Sequence, residues 1–457
     1  MKLKKDINKY IFRGYDLRGV YPTDIDGDVA YTIGKSYGSY IQTLGKTKCI
    51  VGHDNRYSSD ELTNALLKGI TETGVDVIYL GLVTTPMFYY TCIFKNIPSG
   101  VMVTASHNPK DDNGFKMIFD ERGSARGKMI EEFRNFTFEG KFKDGNGEIT
   151  NFDIRPHYFE LMKKSLNFGN KKIKAVIDLG NGTTSIIAKE LYEMFNIDLT
   201  VIYGDSDSAF PNHHPDPCVE ANLADLKKKV LELNADVGLA FDGDGDRIGV
   251  VDEKGNTITT DKYMIIIIRD IINKVSRKEF LYDVKCSKAL DDEIKKLGGK
   301  PLQYRTGASY TKTKTNEENL PFGGELSGHV FFRDKFPGFD SGLYAGLRLI
   351  EILSNTDKKC SELLDGINKY YNTEELKFYS PDDKKNNVID KIKEYCESKK
   401  YNFLTIDGVK VLYGDGFALV RVSNTGPTIT ARFEASTKER LESIQKEFID
   451  LINKYNI

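Results

Sequence analysis

Short apolar runs alternate with segments of helical period along the first third of the chain. Residues 49–52 and 75–80 read as buried strands, and between them residues 58–74 set Leu62, Leu66 and Ile70 on one helical face. That β-α-β alternation predicts a mostly parallel sheet covered by helices. Val101, Met102 and Val103 form another short apolar run, which stops abruptly at a polar turn, Thr104 to Pro109. Residues 141–153 are polar, with glycines at 145 and 147, and predict a boundary. A second unit opens with an apolar run at residues 173–178, enters Gly180-Asn181-Gly182, and closes near residues 250–252. In a third unit, residues 280–284 and 301–304 read as strands and 343–353 as a helix, while 264–272 fits either.

The last unit has another grammar. Residues 416–422 and 429–435 are strand-like and separated by a short turn, which predicts a hairpin. Ser436 and Glu439 have capping-box spacing, and Leu441, Ile444, Phe448, Leu451 and Tyr455 follow at steps of three and four. The pattern predicts three α/β domains, at 1–150, 151–255 and 256–368, and a C-terminal α+β domain at 369–457. The letters show no internal repeat.

The totals narrow the classes. The chain has 457 residues, 40% of them hydrophobic and 29% charged, as in a globular protein of several domains. A formal net charge of −2 argues against nucleic acid or a membrane surface as the partner. The six cysteines are scattered, without a CxxC pair, which fits free thiols rather than a disulfide framework or zinc. Residues 1–6 lack an apolar leader and no apolar run can span a bilayer, so a cytoplasmic location is expected.

Two turns carry candidate chemistry. In the first, Ser106 has His107 and Asn108 beside it and Lys116 downstream. A serine carries a phosphoryl group only with help from donors and a cation. His107, Asn108 and Lys116 are candidate donors, and Lys116 can also move a proton. An Asn-Pro surface turn would read the same way. In the second, Asp242, Asp244 and Asp246 alternate with glycines in one tight loop. Carboxylates so dense repel unless a hard cation sits among them, and oxygen-only ligands point to Mg²⁺, Mn²⁺ or Ca²⁺. The competing readings are a solvated acidic turn and an EF-hand loop ending at Glu253. Against the EF-hand, Arg247 stands where that loop needs glycine, and the flanks are strand-like.

With both turns in place, the chain resembles the α-D-phosphohexomutase superfamily along its whole length. The resemblance rests on Thr104 to Pro109, on Asp242 to Arg247, on Gly324-Glu325-Leu326-Ser327-Gly328-His329, and on Arg421 to Thr425. It is nearest the bacterial phosphomannomutase/phosphoglucomutase branch, with Leu326 where that branch has methionine. The resemblance implies mixed sheets and a heart-shaped molecule with a central cleft.

It implies reversible conversion of hexose 1-phosphate and hexose 6-phosphate, glucose or mannose, through phosphorylated Ser106 and a hexose 1,6-bisphosphate that is both intermediate and activator. Mg²⁺ is implied on Asp242, Asp244, Asp246 and the Ser106 phosphoryl. Ser106, Lys116, His107, Arg18 and His329 are the implied catalytic residues. Tyr15, Arg247, Lys285, Glu325, Leu326, Ser327, Gly328 and His329 are implied around the sugar, with Glu325 and Ser327 on adjacent hydroxyls. Arg421, Val422, Ser423, Asn424 and Thr425 are implied around the phosphate, although an ordinary hairpin turn would use the same letters. Hexose phosphates are the expected partners, and a monomer or weak dimer the expected state. The branch usually has histidine where Ala308 stands, which leaves sugar preference open. Other readings are phosphoglucosamine mutase or another sugar-phosphate mutase of the superfamily, a metal-dependent phosphatase, and a non-catalytic sugar-phosphate binder. Gly180-Asn181-Gly182 resembles a phosphate cradle, but a turn into a helix accounts for it equally well.

Overall fold

The computed structural model describes residues 1–381, 383–423 and 426–456. The described strands form four mixed or antiparallel sheets. The first orders its six strands Leu17–Val20, Asp112–Ile118, Gly100–Val103, Lys48–His53, Asp76–Leu82 and Ile149–Asn151. Its middle is parallel, as the β-α-β alternation predicts, and the strand pairs at the Asp112–Ile118 edge are antiparallel. The helix Ser59–Thr71 buries Leu62, Leu66 and Ile70 against it. The polar stretch 141–153 also supplies an edge strand to the first sheet, because Ile149–Asn151 pairs in parallel with residues 77–79.

The second sheet runs Thr257–Ile258, Ile248–Asp252, Val237–Phe241, Ile173–Asp178, Ile197–Ile202, and the third runs Lys300–Tyr304, Glu279–Asp283, Phe322–Gly324, Val330–Phe332. The ambiguous 264–272 stretch lies in the helix Thr260–Ile271, whose apolar residues are nearly all buried. Its polar positions Lys262, Arg269 and Asp270 stay partly exposed, so the helix turns a broad apolar face to the core. One large core joins the second and third sheets and one face of the first, whose other face has a core of its own, as does the fourth sheet.

The fourth sheet centres on the hairpin of Gly416–Val422 and Thr428–Ala435 and is covered by Lys385–Ser398 and Lys438–Tyr455. The last helix is capped by Thr437, whose hydroxyl accepts from Arg440 N, not by Ser436 as the capping-box spacing suggested. Ile444, Phe448, Leu451 and Ile452 form its buried stripe.

A repeat hidden in the letters is visible in the sheets. In each one, two adjacent antiparallel strands are joined by a loop: residues 104–111, 242–247, 325–329 and 423–427. These loops hold the four motifs singled out in the sequence.

Candidate active site

The four loops border one cavity of about 1180 Å³. Ser106 stands at the strand end with φ +53°, a left-handed conformation that a non-glycine residue adopts at a cost of about 1–3 kcal/mol. Its backbone N–H donates to Thr104 Oγ1 at 2.8 Å, and its Oγ donates to Asp242 Oδ2 at 2.7 Å. The first and second loops are thus joined at the two groups the sequence set 136 positions apart. Ser106 is 1% exposed and lines the cavity, so it is no surface turn.

The acidic loop is buried as well. Asp242, Asp244 and Asp246 are at most 1% exposed, which excludes a solvated turn. The flanking strands exclude an EF-hand, and Glu253 is spent on the N–H and hydroxyl of Ser361. Lys116 Nζ lies 2.6 Å from both Asp244 Oδ2 and Asp246 Oδ2. Burial and the neighbouring charges of Asp246 and Asp244 hold the Asp242 carboxyl well above its ordinary range. Burial acts the same way on Asp244 and Asp246, but the Lys116 ammonium outweighs it and both lie below the usual range. Burial pulls Lys116 down, yet the two carboxylates win and hold it firmly charged.

One oxygen from each aspartate lies within 4.8 Å of the others. Asp244 Oδ1 and Asp246 Oδ1 are buried without a hydrogen-bond partner. Orphaned carboxylate oxygens beside a third carboxylate are the donor set of a hard divalent cation, so the residues fit the Mg²⁺ the sequence implied. A second trio, Asp246, His329 and Asp340, is equally compact. There His329 is already committed: Nδ1 bonds Asp340 Oδ2 at 2.9 Å and Nε2 accepts from Arg247 Nε at 3.0 Å. Neither ring nitrogen has a lone pair left for a metal.

The other implied residues gather unevenly. Arg18 is tied to Asp16 and reaches back to Ala105 O and Asn108 Oδ1. The Asn108 amide N–H goes to Asp112 Oδ2, so Asn108 shapes the turn rather than offering a donor to Ser106. His107 Nδ1 is 3.5 Å from Ser106 Oγ, and burial with the Arg247, Arg18 and Lys116 charges keeps its ring neutral. Glu325 Oε1 accepts from Gly307 N and Thr311 Oγ1. Tyr15, Leu326 and Ser327 line the cavity beside Glu325. Gly328 is not on the cavity wall. It turns the backbone at φ +95° and accepts from Ile248 N, which ties the third loop to the second.

Lys285 pairs with Glu375 at 3.3 Å and Arg421 with Asp407 at 2.9 Å, so both cations line the cavity already held by carboxylates. Ser423 borders the cavity, Val422 does not, and Asn424 and Thr425 lie outside the described residues. Ala308 also borders it, at the start of the helix Ala308–Glu317.

The structure adds residues that no local pattern marked. Thr85 bonds Asp244 through both its hydroxyl and its N–H. Asp340 fixes the His329 ring. Arg432, 5% exposed, lines the cavity and makes no hydrogen bond or ion pair with another described residue. Gly180-Asn181-Gly182 is not a phosphate cradle. Its N–H groups are spent on Asp178, Tyr203 and Leu179, and its Asn181 carbonyl accepts from Asn55.

Comparison with known proteins is consistent along the chain. Sequence models of the phosphoglucomutase/phosphomannomutase domains match in order: alpha/beta/alpha domain I at residues 9–144, domain II at 156–255, domain III at 259–370, and the C-terminal domain at 375–451. A phosphomannomutase/phosphoglucomutase of Pseudomonas aeruginosa is 38% identical over 438 residues, covering 96% of this chain and 94% of that protein. A phosphoglucomutase of Neisseria meningitidis is 38% identical over 447 residues, covering 97% and 96%. The crystal structure of a phosphoglucomutase/phosphomannomutase family protein from Burkholderia thailandensis superposes with a TM-score of 0.91 at 37% identity, covering 98% of each chain.

Proposed function

The chain belongs to the phosphoglucomutase/phosphomannomutase family, and on that premise we propose which of its residues carry the reversible interconversion of hexose 1-phosphate and hexose 6-phosphate. One observation bears most of the weight: Ser106 Oγ sits 2.7 Å from the first aspartate of the acidic trio, at the wall of the shared cavity.

Ser106 carries the phosphoryl group. The substrate's free hydroxyl forms a bond to phosphorus as the bond to Ser106 Oγ breaks. The product of that half-reaction is a hexose 1,6-bisphosphate. It turns within the cavity and returns its other phosphoryl to Ser106. Asp242, Asp244 and Asp246 would hold Mg²⁺, together with an oxygen on Ser106. When bound, such a cation offsets the charge on the phosphoryl and leaving oxygens. Lys116, kept as an ammonium by its two carboxylates, supplies the proton to the departing Ser106 Oγ and recovers it from the attacking hydroxyl. Arg18 steadies the serine loop, and neutral His107 lends an N–H. Arg247 and His329 hold each other at the border of the second and third loops.

Glu325 and Ser327 grip the sugar hydroxyls. A carboxylate that accepts from two neighbouring hydroxyls does not read C2, which suits both glucose and mannose. Lys285 and the Arg421–Ser423 segment hold the phosphate that is not reacting, and that remote contact positions the reacting end. For the intermediate to turn, the cavity must loosen without emptying. The last unit meets the third through contacts suited to this, such as Lys285–Glu375 and Asp407 with Thr306 N, and we place the hinge at residues 368–375.

A coupled assay of glucose 1-phosphate and mannose 1-phosphate, with and without added hexose 1,6-bisphosphate, tests this reading. Formation of 6-phosphates, stimulated by the bisphosphate, is expected. Net release of inorganic phosphate would indicate a phosphatase, and no turnover a binding protein.

A further inference from the structure

We propose that Arg56 is a positioning residue for the phosphoryl-carrying serine, an inference that rests on the role assigned to Ser106. Arg56 follows the strand Lys48–His53 and is 3% exposed. It does not border the cavity, so it cannot touch substrate. Its guanidinium instead gathers the serine loop by its carbonyls. Nη2 donates to Ser106 O at 2.8 Å and to Asn108 O at 2.7 Å. Nη1 donates to Pro109 O at 2.6 Å and to Asp112 O at 2.9 Å. Three carbonyls of the loop and one at the start of the following strand thus converge on one side chain.

The clamp is itself clamped. Arg56 Nε lies 3.2 Å from Asp54 Oδ2, and Asp54 Oδ1 accepts from Arg56 N and Ser59 Oγ. Phe210, from the second unit, faces the guanidinium at 5.6 Å. The preceding residue, Asn55, bonds Asn181 O and Thr183 Oγ1 at the turn beyond the strand Ile173–Asp178. The segment that carries Arg56 is therefore fixed to both the first and second units, and the loop it holds inherits that frame.

The physical need is plain. Ser106 occupies a left-handed conformation that an L-residue leaves unless its surroundings hold it. In that conformation its Oγ meets Asp242. A planar guanidinium with five N–H donors can satisfy four carbonyls in one plane; an ammonium, with three donors in a cone, cannot. The sugar and phosphate grips lie on the third and fourth sheets, out of reach of Arg56.

Two variants test the proposal, R56K and R56A, measured in the full chain. Both are expected to lower kcat about 100-fold, the scale of a displacement near 1 Å at a reacting centre. The KM for the hexose 1-phosphate is expected to stay within about threefold of wild type, because substrate contacts are untouched. Phosphorylation of Ser106 by added hexose 1,6-bisphosphate, followed by intact mass, should slow in proportion to kcat. Guanidinium chloride at millimolar, non-denaturing concentration should recover part of the R56A rate and none of the R56K rate. Near-wild-type kcat in R56K, a KM that rises while kcat holds, or a failure of guanidinium to rescue R56A would overturn the proposal. So would loss of a cooperative melt in both variants, since Arg56 would then serve the fold alone. A wild-type chain without mutase activity would instead sink the reading of Ser106 itself.

Discussion

Replacing Arg432 with methionine should move stability and phosphate affinity in opposite directions. Arg432 is 5% exposed and has no hydrogen bond or ion pair with another described residue. Its position in the sheet explains why a cation is kept there. Thr430 is paired with Arg421 on one neighbouring strand and with Lys377 on the other. Cross-strand partners share a face, and Arg432, two residues on, lies on that face too. All four residues line the cavity, so three cations surround one hydroxyl where the non-reacting phosphate is proposed to sit.

A buried ion without a hydrogen-bonded partner costs several kcal/mol, less where a cavity admits water and where, as with Glu434 here, a nearby carboxylate offsets part of the charge. Methionine keeps most of the volume and removes the charge, so R432M should stabilise the ligand-free protein by about 1–3 kcal/mol. A hydrogen bond to a charged group is worth about 1.5–3 kcal/mol, so phosphate-end binding should weaken roughly 10- to 150-fold. Thermal melting with and without inorganic phosphate, and KM for the hexose 1-phosphate, read both effects. A variant that melts below wild type yet keeps its phosphate-induced shift would show Arg432 serving the fold, and the reasoning would be wrong.

Metal removal gives a second expectation. EDTA should lower turnover by about two orders of magnitude or more, reversibly on adding Mg²⁺, because a cation at such a site supplies several kcal/mol. Unchanged turnover after exhaustive chelation would count against the assignment of Asp242, Asp244 and Asp246. A third concerns Lys410, 3% exposed, whose ammonium bonds Val284 O at 2.7 Å. Burial pushes it down from 10.5 to about 8. Between those values the unfolded chain keeps a proton that the folded chain has lost, so this group adds stability as pH rises from about 8 to 10.5. The wild-type curve should climb above that of K410M by about 3 kcal/mol across that interval, and denaturant midpoints that stay parallel would refute it.

Periodicity made the local elements legible. Leu62, Leu66 and Ile70 announce their helix because core-facing positions recur at helical spacing, and the 416–435 hairpin reads clearly for the analogous reason. Residues 264–272 do not declare themselves, because the unbroken apolar run Met264–Ile268 suits a buried strand as well as a helix. The candidate site was legible where its residues are dense, at Ser106 and at the three aspartates, which the structure brings together. Arg56, Asp340, Thr85 and Arg432 were not, since each is a lone residue whose place at the site depends on the three-dimensional fold rather than on neighbouring letters. The shared hairpin plan of the four sheets is equally silent in the letters. Strand pairing fixes only backbone geometry, which many different side-chain sequences can satisfy.

The arrangement of Ser106 against Asp242 is tested most directly by following the phosphoryl group itself. The protein is incubated with hexose 1,6-bisphosphate and Mg²⁺, its intact mass and phosphopeptides are determined, and a hexose 1-phosphate is then added. A single added phosphoryl on Ser106, discharged by the sugar phosphate and absent from S106A, is the expected result. A phosphoryl on another residue, or full mutase activity in S106A, would contradict the account.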